Sequence, residues 1–512
     1  MSEVAKHTLE ANQNEPSLSQ EERDLVDSWL RLRETDAKAN THAIPVRSNR
    51  GSARASVGQE QIWLHANLAG SKPVYVEPVT VHYSGKLDVD ALRRSLAEFV
   101  QRHSAWRTTF EWQEGELCQI IKPQVHVPLP YSDLSSLTRS ERERRALKLA
   151  TYDAFAPFDL ARGPLLRWRL IRLSEDEHRI YVTLHHIIFD GVSLYKIFLP
   201  ELAAMYRANS LGGKHGLPKI AIDYPDYAEW HRTYTQGESV TSQLGYWEST
   251  LANLPELDIQ PDHARGEIQS YRGSMERFRV PLDIVESLKQ VAKSTNATLF
   301  MVLTAVITVL LKHRVGSEDI PIGSAASGRK WSETENVVGY FLNTIVLRID
   351  AAGDPSFLKL VERVRETTIA ALSRDEVPFS MVLKRVASKR DASRHPLFQV
   401  VFSLEPPLGE LETGWKFTQM DVETGMTKFD LHLEMDERSD GIWARFIYNA
   451  DLFEKQTILD MAKVWLQIAE CAARSPELRI SGLVPGAQKK RLMSRIKSFF
   501  GAGPIARASR AY

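Results

Sequence analysis

The stretch LFMVLTAVITVLL, from Leu299 to Leu311, is apolar on every side and broken only by Thr304 and Thr308. A helix that is hydrophobic all round must be covered all round. This one is too short for the roughly 20 residues needed to cross a bilayer, so it reads as a buried core helix. A core of that kind needs a long chain around it. The 512 residues, with 43% hydrophobic and 25% charged side chains, provide one and leave room for two to four domains.

Charge and cysteine content exclude several classes. Lys plus Arg and Asp plus Glu balance at 65 each, so no whole-molecule field favours nucleic acid or an anionic membrane. Cys118 and Cys471 lie far apart and match no metal-ligand or redox spacing, which suits a reducing cytosol. No apolar stretch follows the first residues, so a cytoplasmic protein without a secretory signal is expected, and membrane binding is not.

Along the chain, residues 1–52 are polar and are expected to be flexible. Their one organised element is a short amphipathic helix, with Ser19 and Glu22 as a capping box ahead of Leu25, Val26, Trp29 and Leu30. A first block, 53–252, alternates strand and helix patterns. Val79, Val81 and Tyr83 alternate as a strand, and Asp88 can cap a helix with the stripe Leu92, Leu96, Phe99 and Val100. The strand patterns LLRWRLIRL and HRIYVTL follow. A Pro- and Asp-containing connector, 253–270, leads to a second block, 271–484. That block carries helical patterns over Ile284–Thr295 and Ala297–Arg314, and strand patterns at NTIVLRI, FQVVFSL and GIWARFIY. Neither block has a glycine-rich nucleotide fingerprint, so the chain reads as two α/β lobes joined by a connector.

The densest chemistry lies in TLHHIIFDGVS, Thr183 to Ser193. In a strand from Ile180 to His186, side chains alternate, so His185 and His186 point to opposite faces. Adjacent strand residues hardly ligate one metal, and no zinc-type spacing is near, so no metal site is expected. Two satisfied core histidines are the plain alternative. Against it stands Asp190-Gly191: glycine permits a tight turn or a close approach, and Ser193 can cap a following helix. Strand, turn and helix start together can present a reactive side chain at a lobe edge.

His185-His186-Ile187-Ile188-Phe189-Asp190-Gly191 resembles the His-His-x-x-x-Asp-Gly motif of the condensation domains of nonribosomal peptide synthetases, which chloramphenicol acetyltransferase and dihydrolipoyl acyltransferases share. The resemblance extends over roughly residues 54 to 484. SVGQEQIW, RHSAWRTTF, FDLARGPLLR, YPDYAEW, GYFLNT, VPFSMVL and RDASRHPLFQ stand in the family's order and select the condensation branch. Ser104, Gln61, Phe189, Ser373 and His395 replace residues usual in the family, and the aspartate pair of its heterocyclising members is absent.

The resemblance implies an α/β fold of two chloramphenicol-acetyltransferase-like lobes, forming a V-shaped pseudo-dimer with a tunnel between them. It implies a catalytic motif of His186, His185, Asp190 and Gly191. His186 is expected to take the amine proton or to hydrogen-bond the tetrahedral intermediate, and His185 to be structural. A structural salt bridge is expected between Asp190 and Arg329, because a buried carboxylate needs a cation. Arg102, Arg107, Trp230 and Asn343 are expected to support the site. No bound cofactor is implied. Peptidyl or acyl carrier proteins would deliver the donor, and the acceptor too in most cases, on phosphopantetheine arms to a monomeric enzyme. A same-fold acyltransferase using a soluble amine or alcohol, and a non-catalytic docking platform, remain as alternatives.

No adenylation or carrier segment follows the second block, so a free-standing enzyme, or one cut from a longer synthetase, is expected. The tail 485–512 is basic: Lys489, Lys490, Arg491, Arg495, Lys497, Arg507 and Arg510 flank the stripe Leu492, Met493, Ile496, Phe499 and Phe500. Such a helix suits a membrane surface or an acidic carrier.

Overall fold

The computed structural model describes residues 43–484 apart from 71, 388–390, 407–413 and 419–421. The expected helix near Ser19 and the basic tail lie outside the described residues. The described residues from Val46 onward belong to one compact unit.

The first block contributes β1 (Ser52–Arg54), β2 (Val76–Ser84), β3 (Thr108–Gln113), β4 (Glu116–Ile121), β5 (Tyr131–Asp133), β6 (Leu166–Ser174) and β7 (Glu177–His185). The second contributes β8 (Gly273–Pro281), β9 (Asp319–Ala326), β10 (Asn343–Asp350), β11 (Val400–Leu404), β12 (Trp415–Thr418), β13 (Leu431–Arg438) and β14 (Gly441–Asn449). They form a five-stranded sheet in the order β12-β2-β7-β6-β5, a six-stranded sheet in the order β10-β9-β11-β13-β14-β8, and a small sheet β1-β4-β3. With helices packed on both large sheets, the architecture is α/β, and each large sheet with its helices makes a lobe.

Local sequence explains the elements. Asp88 accepts from the Asp90 and Ala91 amides and starts the helix Val89–Arg102, which buries Leu92, Leu96, Phe99 and Val100. In β6, Leu166, Trp168 and Leu170 are buried while Arg167 and Arg169 between them are partly exposed, the period-2 pattern of a half-buried strand. The helix Leu299–Val315 is capped by Thr298, stops at Gly316 in the left-handed region (φ +75°), and is buried from Met301 through Leu311. Helices Leu282–Ser294, Phe357–Leu372 and Lys455–Arg474 pack around it. Among the described residues no single helix is long and apolar enough to cross a membrane.

The spans expected for the lobes do not partition the packing. β12 falls within 271–484 but pairs antiparallel with β2, setting Trp415 opposite Tyr83 and Phe417 opposite Val81. The helix Glu238–Thr250 falls within 53–252, yet Val240 and Trp247 are buried in the second lobe's core beside Leu288 and Phe398. The chain thus changes lobes before its Pro-containing connector, and returns once by a lent strand. The start of the ordered fold also differs from the expected flexible 1–52. Arg47 donates to Asp226 through its amide and Nε, and Arg50 pairs with Asp223 and Asp226, which fastens this stretch to the helix Tyr224–Tyr234.

Candidate active site

β7 runs antiparallel to β2, with His185 opposite Val76, and the His186 amide donates to the Tyr75 carbonyl at 2.8 Å. The expected strand Ile180–His186 stops one residue sooner. His185 Nδ1 accepts the Ile187 amide at 3.3 Å, which closes a tight turn over His186–Ile188. His185 is therefore the last strand residue and the cap of its own turn, and His186 is the first residue of the turn.

The His186 ring stacks on Phe189 (centroids 4.8 Å apart, planes at 30°) and takes the edge of Tyr340 at 5.5 Å. Its Nδ1 has no hydrogen-bond partner among the described residues. Burial, then the nearby Lys428 ammonium, pulls its pKa down to about 3. The same two causes, in the same order, bring His185 to about 3. Both imidazoles are thus neutral near pH 7, and a neutral imidazole can accept a proton. They differ in commitment: His185 Nδ1 is used by the backbone, whereas the His186 ring is held by aromatic faces.

Asp190 is fully buried and is the N-cap of the helix that follows. Its Oδ1 accepts from the Ser193 amide at 2.7 Å and the Ser193 hydroxyl at 2.8 Å. The cap expected at Ser193 thus lies at Asp190, because the helix already starts at Gly191 and Ser193 sits within its first turn. That helix has a widened π form over Ser193–Phe198 before Leu199–Leu211 continues as α. From the other lobe, Arg329 Nη2 lies 2.9 Å from both Asp190 oxygens, and its Nε is 3.2 Å from Oδ2. Arg329 also donates to the Thr334 and Val337 carbonyls and lies 4.0 Å over the Phe341 ring. The Phe341 amide adds a donor to Asp190 at 3.3 Å. Every polar face of this ion pair is occupied, the condition under which a buried pair is tolerated.

Gly191 and Gly339 permit close approach. A Cβ on Gly191 would lie 3.1 Å from Glu405 Oε2, and one on Gly339 would lie 1.9 Å from the Tyr224 ring. Tyr224 in turn donates to the Tyr340 carbonyl and bonds Ser56 at 2.8 Å. Gln59, on the helix Val57–Leu68, donates to the Ile187 carbonyl at 3.2 Å. Segments quoted from SVGQEQIW, YPDYAEW and GYFLNT therefore converge on the histidine turn.

Four residues expected to support the site are engaged elsewhere. Arg102 pairs with Glu201 at 2.9 Å, an arrangement that includes His103 and fixes the helix Val89–Arg102 to Leu199–Leu211. Arg107 donates to the carbonyls of Val100, Lys122 and Pro123. Asn343 donates to the Asp375 and Val377 carbonyls and accepts the Phe379 amide, holding the loop before the helix Phe379–Val386. Trp230 packs on Trp331 (4.6 Å) and Tyr234 (5.0 Å), and reaches the ion pair only through the neighbouring Tyr227 and Phe341. These are stacking and backbone-clamping roles, and local sequence patterns do not distinguish them from site roles.

Several residues near the motif escaped sequence reasoning. Lys428 lies 4.8 Å over the Tyr75 ring. Tyr75 is also linked to the other lobe, since His65 Nδ1 meets the Tyr75 hydroxyl and His65 Nε2 meets the Tyr271 hydroxyl, each at 2.8 Å. A cavity of about 560 Å³ opens beside them, lined by Trp63, Trp112, Tyr75, Phe158 and Leu160, with His185 on its wall. Among the described residues no cluster of His, Cys, Asp and Glu could hold a metal ion.

A family model described as "Condensation domain" matches residues 49–493. One of the linear gramicidin synthase subunits of Brevibacillus parabrevis is 37% identical over 433 residues, which cover 84% of this chain and 8% of that protein. Phosphinothricin tripeptide synthetase PhsC of Streptomyces viridochromogenes is 32% identical over 472 residues, covering 91% of this chain and 43% of that protein. The chain spans less than a tenth of the length of the three linear gramicidin synthase subunits it matches, at 8%, 6% and 8%. Among solved structures, the X-domain from teicoplanin biosynthesis matches with a TM-score of 0.72 at 27% identity, covering 86% of this chain and 99% of that one. The first condensation domain of the calcium-dependent antibiotic synthetase matches with a TM-score of 0.74 at 20% identity, covering 84% and 98%, a likeness of fold.

Proposed function

Because this chain belongs to the condensation-domain family, we propose that it joins an acyl thioester on the phosphopantetheine arm of one carrier protein to an amine, held in most cases on a second carrier, with formation of an amide. The observation that carries this reading is His186: a neutral imidazole in the turn that follows β7, packed against Phe189 and Tyr340 with Nδ1 unpartnered among the described residues.

In the proposed reaction the amine nitrogen attacks the thioester carbonyl, forming a C–N bond and a tetrahedral oxyanion. His186 takes the proton that the nitrogen sheds. The C–S bond then breaks, and the departing thiolate recovers that proton as the pantetheine thiol. A general base contributes about 10²- to 10⁴-fold, whereas orientation of two tethered reactants reaches effective molarities of about 10⁵ to 10⁸ M. Positioning therefore contributes more than proton transfer, and a rigid motif serves it. Asp190, Arg329 and Gly191 hold the turn and do not touch the reactants. The group that reaches the site is the substrate's own arm, and no resident cofactor is required.

A docking platform is the second reading, favoured by the 27% identity to the X-domain from teicoplanin biosynthesis, a domain also solved in complex with OxyB. One experiment separates the two. Purified protein is mixed with a donor carrier bearing an acyl group and an acceptor carrier bearing an aminoacyl group, and each carrier is followed by intact mass. Transfer of the acyl mass to the acceptor, lost in His186→Ala, supports condensation. Carrier binding without transfer across a panel of donor and acceptor groups supports the platform.

A further inference from the structure

Among the described residues no hydrogen bond to another residue holds the His186 imidazole, so its orientation depends on the rings it packs against. Phe189, in the same turn, stacks on it at 4.8 Å with planes at 30°, and Tyr340 meets it at 5.5 Å with planes at 78°. A stacked ring and a near-perpendicular one oppose different movements of the imidazole, so neither contact replaces the other. Tyr340 comes from the second lobe, yet first-lobe groups fasten its backbone. The Gly339 amide donates to Ser193 Oγ at 3.1 Å, the Tyr340 carbonyl accepts the Tyr224 hydroxyl, and the Phe341 amide donates to Asp190 at 3.3 Å. The Tyr340 ring lies against the start of the helix Val57–Leu68, where a Cβ on Gly58 would come within 2.9 Å of its Cε1. Among the described residues no hydrogen bond engages its hydroxyl.

The geometry points to Tyr340 as a positioning residue for acyl transfer: its ring, delivered from the opposite lobe, fixes the orientation in which the His186 imidazole meets the attacking amine. The assignment rests on the acyl-transfer function given above. It also makes the base dependent on the lobe junction, because the ring that steadies His186 belongs to one lobe and His186 to the other. A general base contributes about 10²- to 10⁴-fold, and a misplacement of about 1 Å can cost about 10²-fold. Loss of one of the two ring contacts is expected to cost part of that contribution.

The test measures acyl transfer between loaded carriers for wild-type protein, Tyr340→Leu, Tyr340→Phe and Gly58→Ala, and for Tyr340→Leu in a His186→Ala background. Tyr340→Leu should lower kcat by about 10- to 10²-fold with little change in KM, and Tyr340→Phe, which keeps the ring, should recover kcat to within about threefold. Gly58→Ala should lower kcat as well, because its Cβ displaces the Tyr340 ring while alanine suits the helix. In the His186→Ala background Tyr340→Leu should cost nothing further, since residues that act as a unit are not additive. Histidine-labelled NMR reads the ring without turnover: the His186 resonances, identified by their absence in His186→Ala, should broaden in Tyr340→Leu and stay sharp in Tyr340→Phe. An equal loss of kcat with and without His186 would make Tyr340 a structural residue, a rise in KM alone would make it a substrate contact, and a full loss in Tyr340→Phe would assign the effect to the hydroxyl. Each of these overturns the assignment, as do sharp His186 resonances in Tyr340→Leu. Wild-type protein that transfers no acyl group sinks the acyl-transfer function instead, and the resonances then decide alone whether Tyr340 restrains the ring.

Discussion

Asp190 of the first lobe and Arg329 of the second meet with both carboxylate oxygens 2.9 Å from one guanidinium nitrogen, their side chains 0% and 5% exposed. The turn that carries His186 is thereby fixed to the opposite lobe and not only to its own sheet. Burial makes the contact costly to break from either side, because removing either partner strands the other charge.

Asp190→Ala and Arg329→Ala should each destabilise the protein by about 3 to 5 kcal/mol, and the double variant by less than their sum. Denaturant unfolding of the single and double variants checks this. A stable Asp190→Ala protein that has lost only turnover would instead make Asp190 a catalytic group.

The two histidines should separate cleanly. His186→Ala should lower kcat by about 10²- to 10⁴-fold with little change in melting temperature. His185→Ala removes the acceptor of the Ile187 amide, a buried donor, and should cost about 1 to 3 kcal/mol of stability. Rates and thermal melts on both variants decide it, and wild-type turnover in His186→Ala would leave positioning as the whole of catalysis.

Gly339→Ala should be the harsher of two glycine substitutions. Its Cβ would sit 1.9 Å from the Tyr224 ring, which is fully buried and hydrogen-bonded at its hydroxyl, whereas at Gly191 the nearest atom is the end of the Glu405 side chain at 3.1 Å. Overpacking of this kind costs about 1 to 3 kcal/mol, and Gly339→Ala should fall at the upper end with Gly191→Ala below it. Chemical denaturation midpoints give the order.

Acid should unfold the protein well above the usual carboxylate range. Burial leads in lowering His65, His231 and His432 to about 4, and His185, His186 and His395 to about 3. A group whose pKa is lower folded than unfolded stabilises the fold fully above its unfolded pKa, about 6.5 for histidine, and loses that contribution as pH falls through its folded value. Glu77, Asp375, Glu405 and Asp436, raised by burial, act with the opposite sign, but they are four carboxyls against six imidazoles. Melting temperature should therefore decline from pH 6.5 toward pH 4. A flat profile over that window would mean that these imidazoles titrate normally.

Much of this was legible in the sequence because it is written locally. The stripe Leu92, Leu96, Phe99 and Val100, the apolar run from Leu299, and the motif from His185 to Gly191 each carry their signal within a few turns or strand residues. The partnership of Asp190 with Arg329 was reachable by a physical demand, since a buried carboxylate needs a cation. What local pattern does not encode is which surface a segment meets. Arg102, Arg107 and Asn343 look like site residues by type, yet they direct their donors to Glu201 and to backbone carbonyls. Lys428 gives no periodic or spacing signal, because the ring it meets, Tyr75, lies more than three hundred positions earlier. The lobe boundary failed for a related reason. Val240 and Trp247 have an amphipathic pattern that says a face is buried and not whose core buries it.

The lent strand β12 bears on the order in which the chain can be completed during synthesis. The edge of β2 along Thr80 to Tyr83 leaves the ribosome early and has to wait for Trp415 to Thr418, on the order of tens of seconds at ordinary elongation rates. During that wait the first lobe carries an open pairing edge of the kind that recruits other nascent chains. Outside the four residues paired with Trp415 to Thr418, β2 includes Glu77 and Pro78, a carboxyl side chain and a residue without an amide donor. Glu77 and Pro78 thus blunt their stretch of the edge from the moment it emerges, and the stretch from Thr80 to Tyr83 is a debt the ribosome settles only near the end of the second lobe.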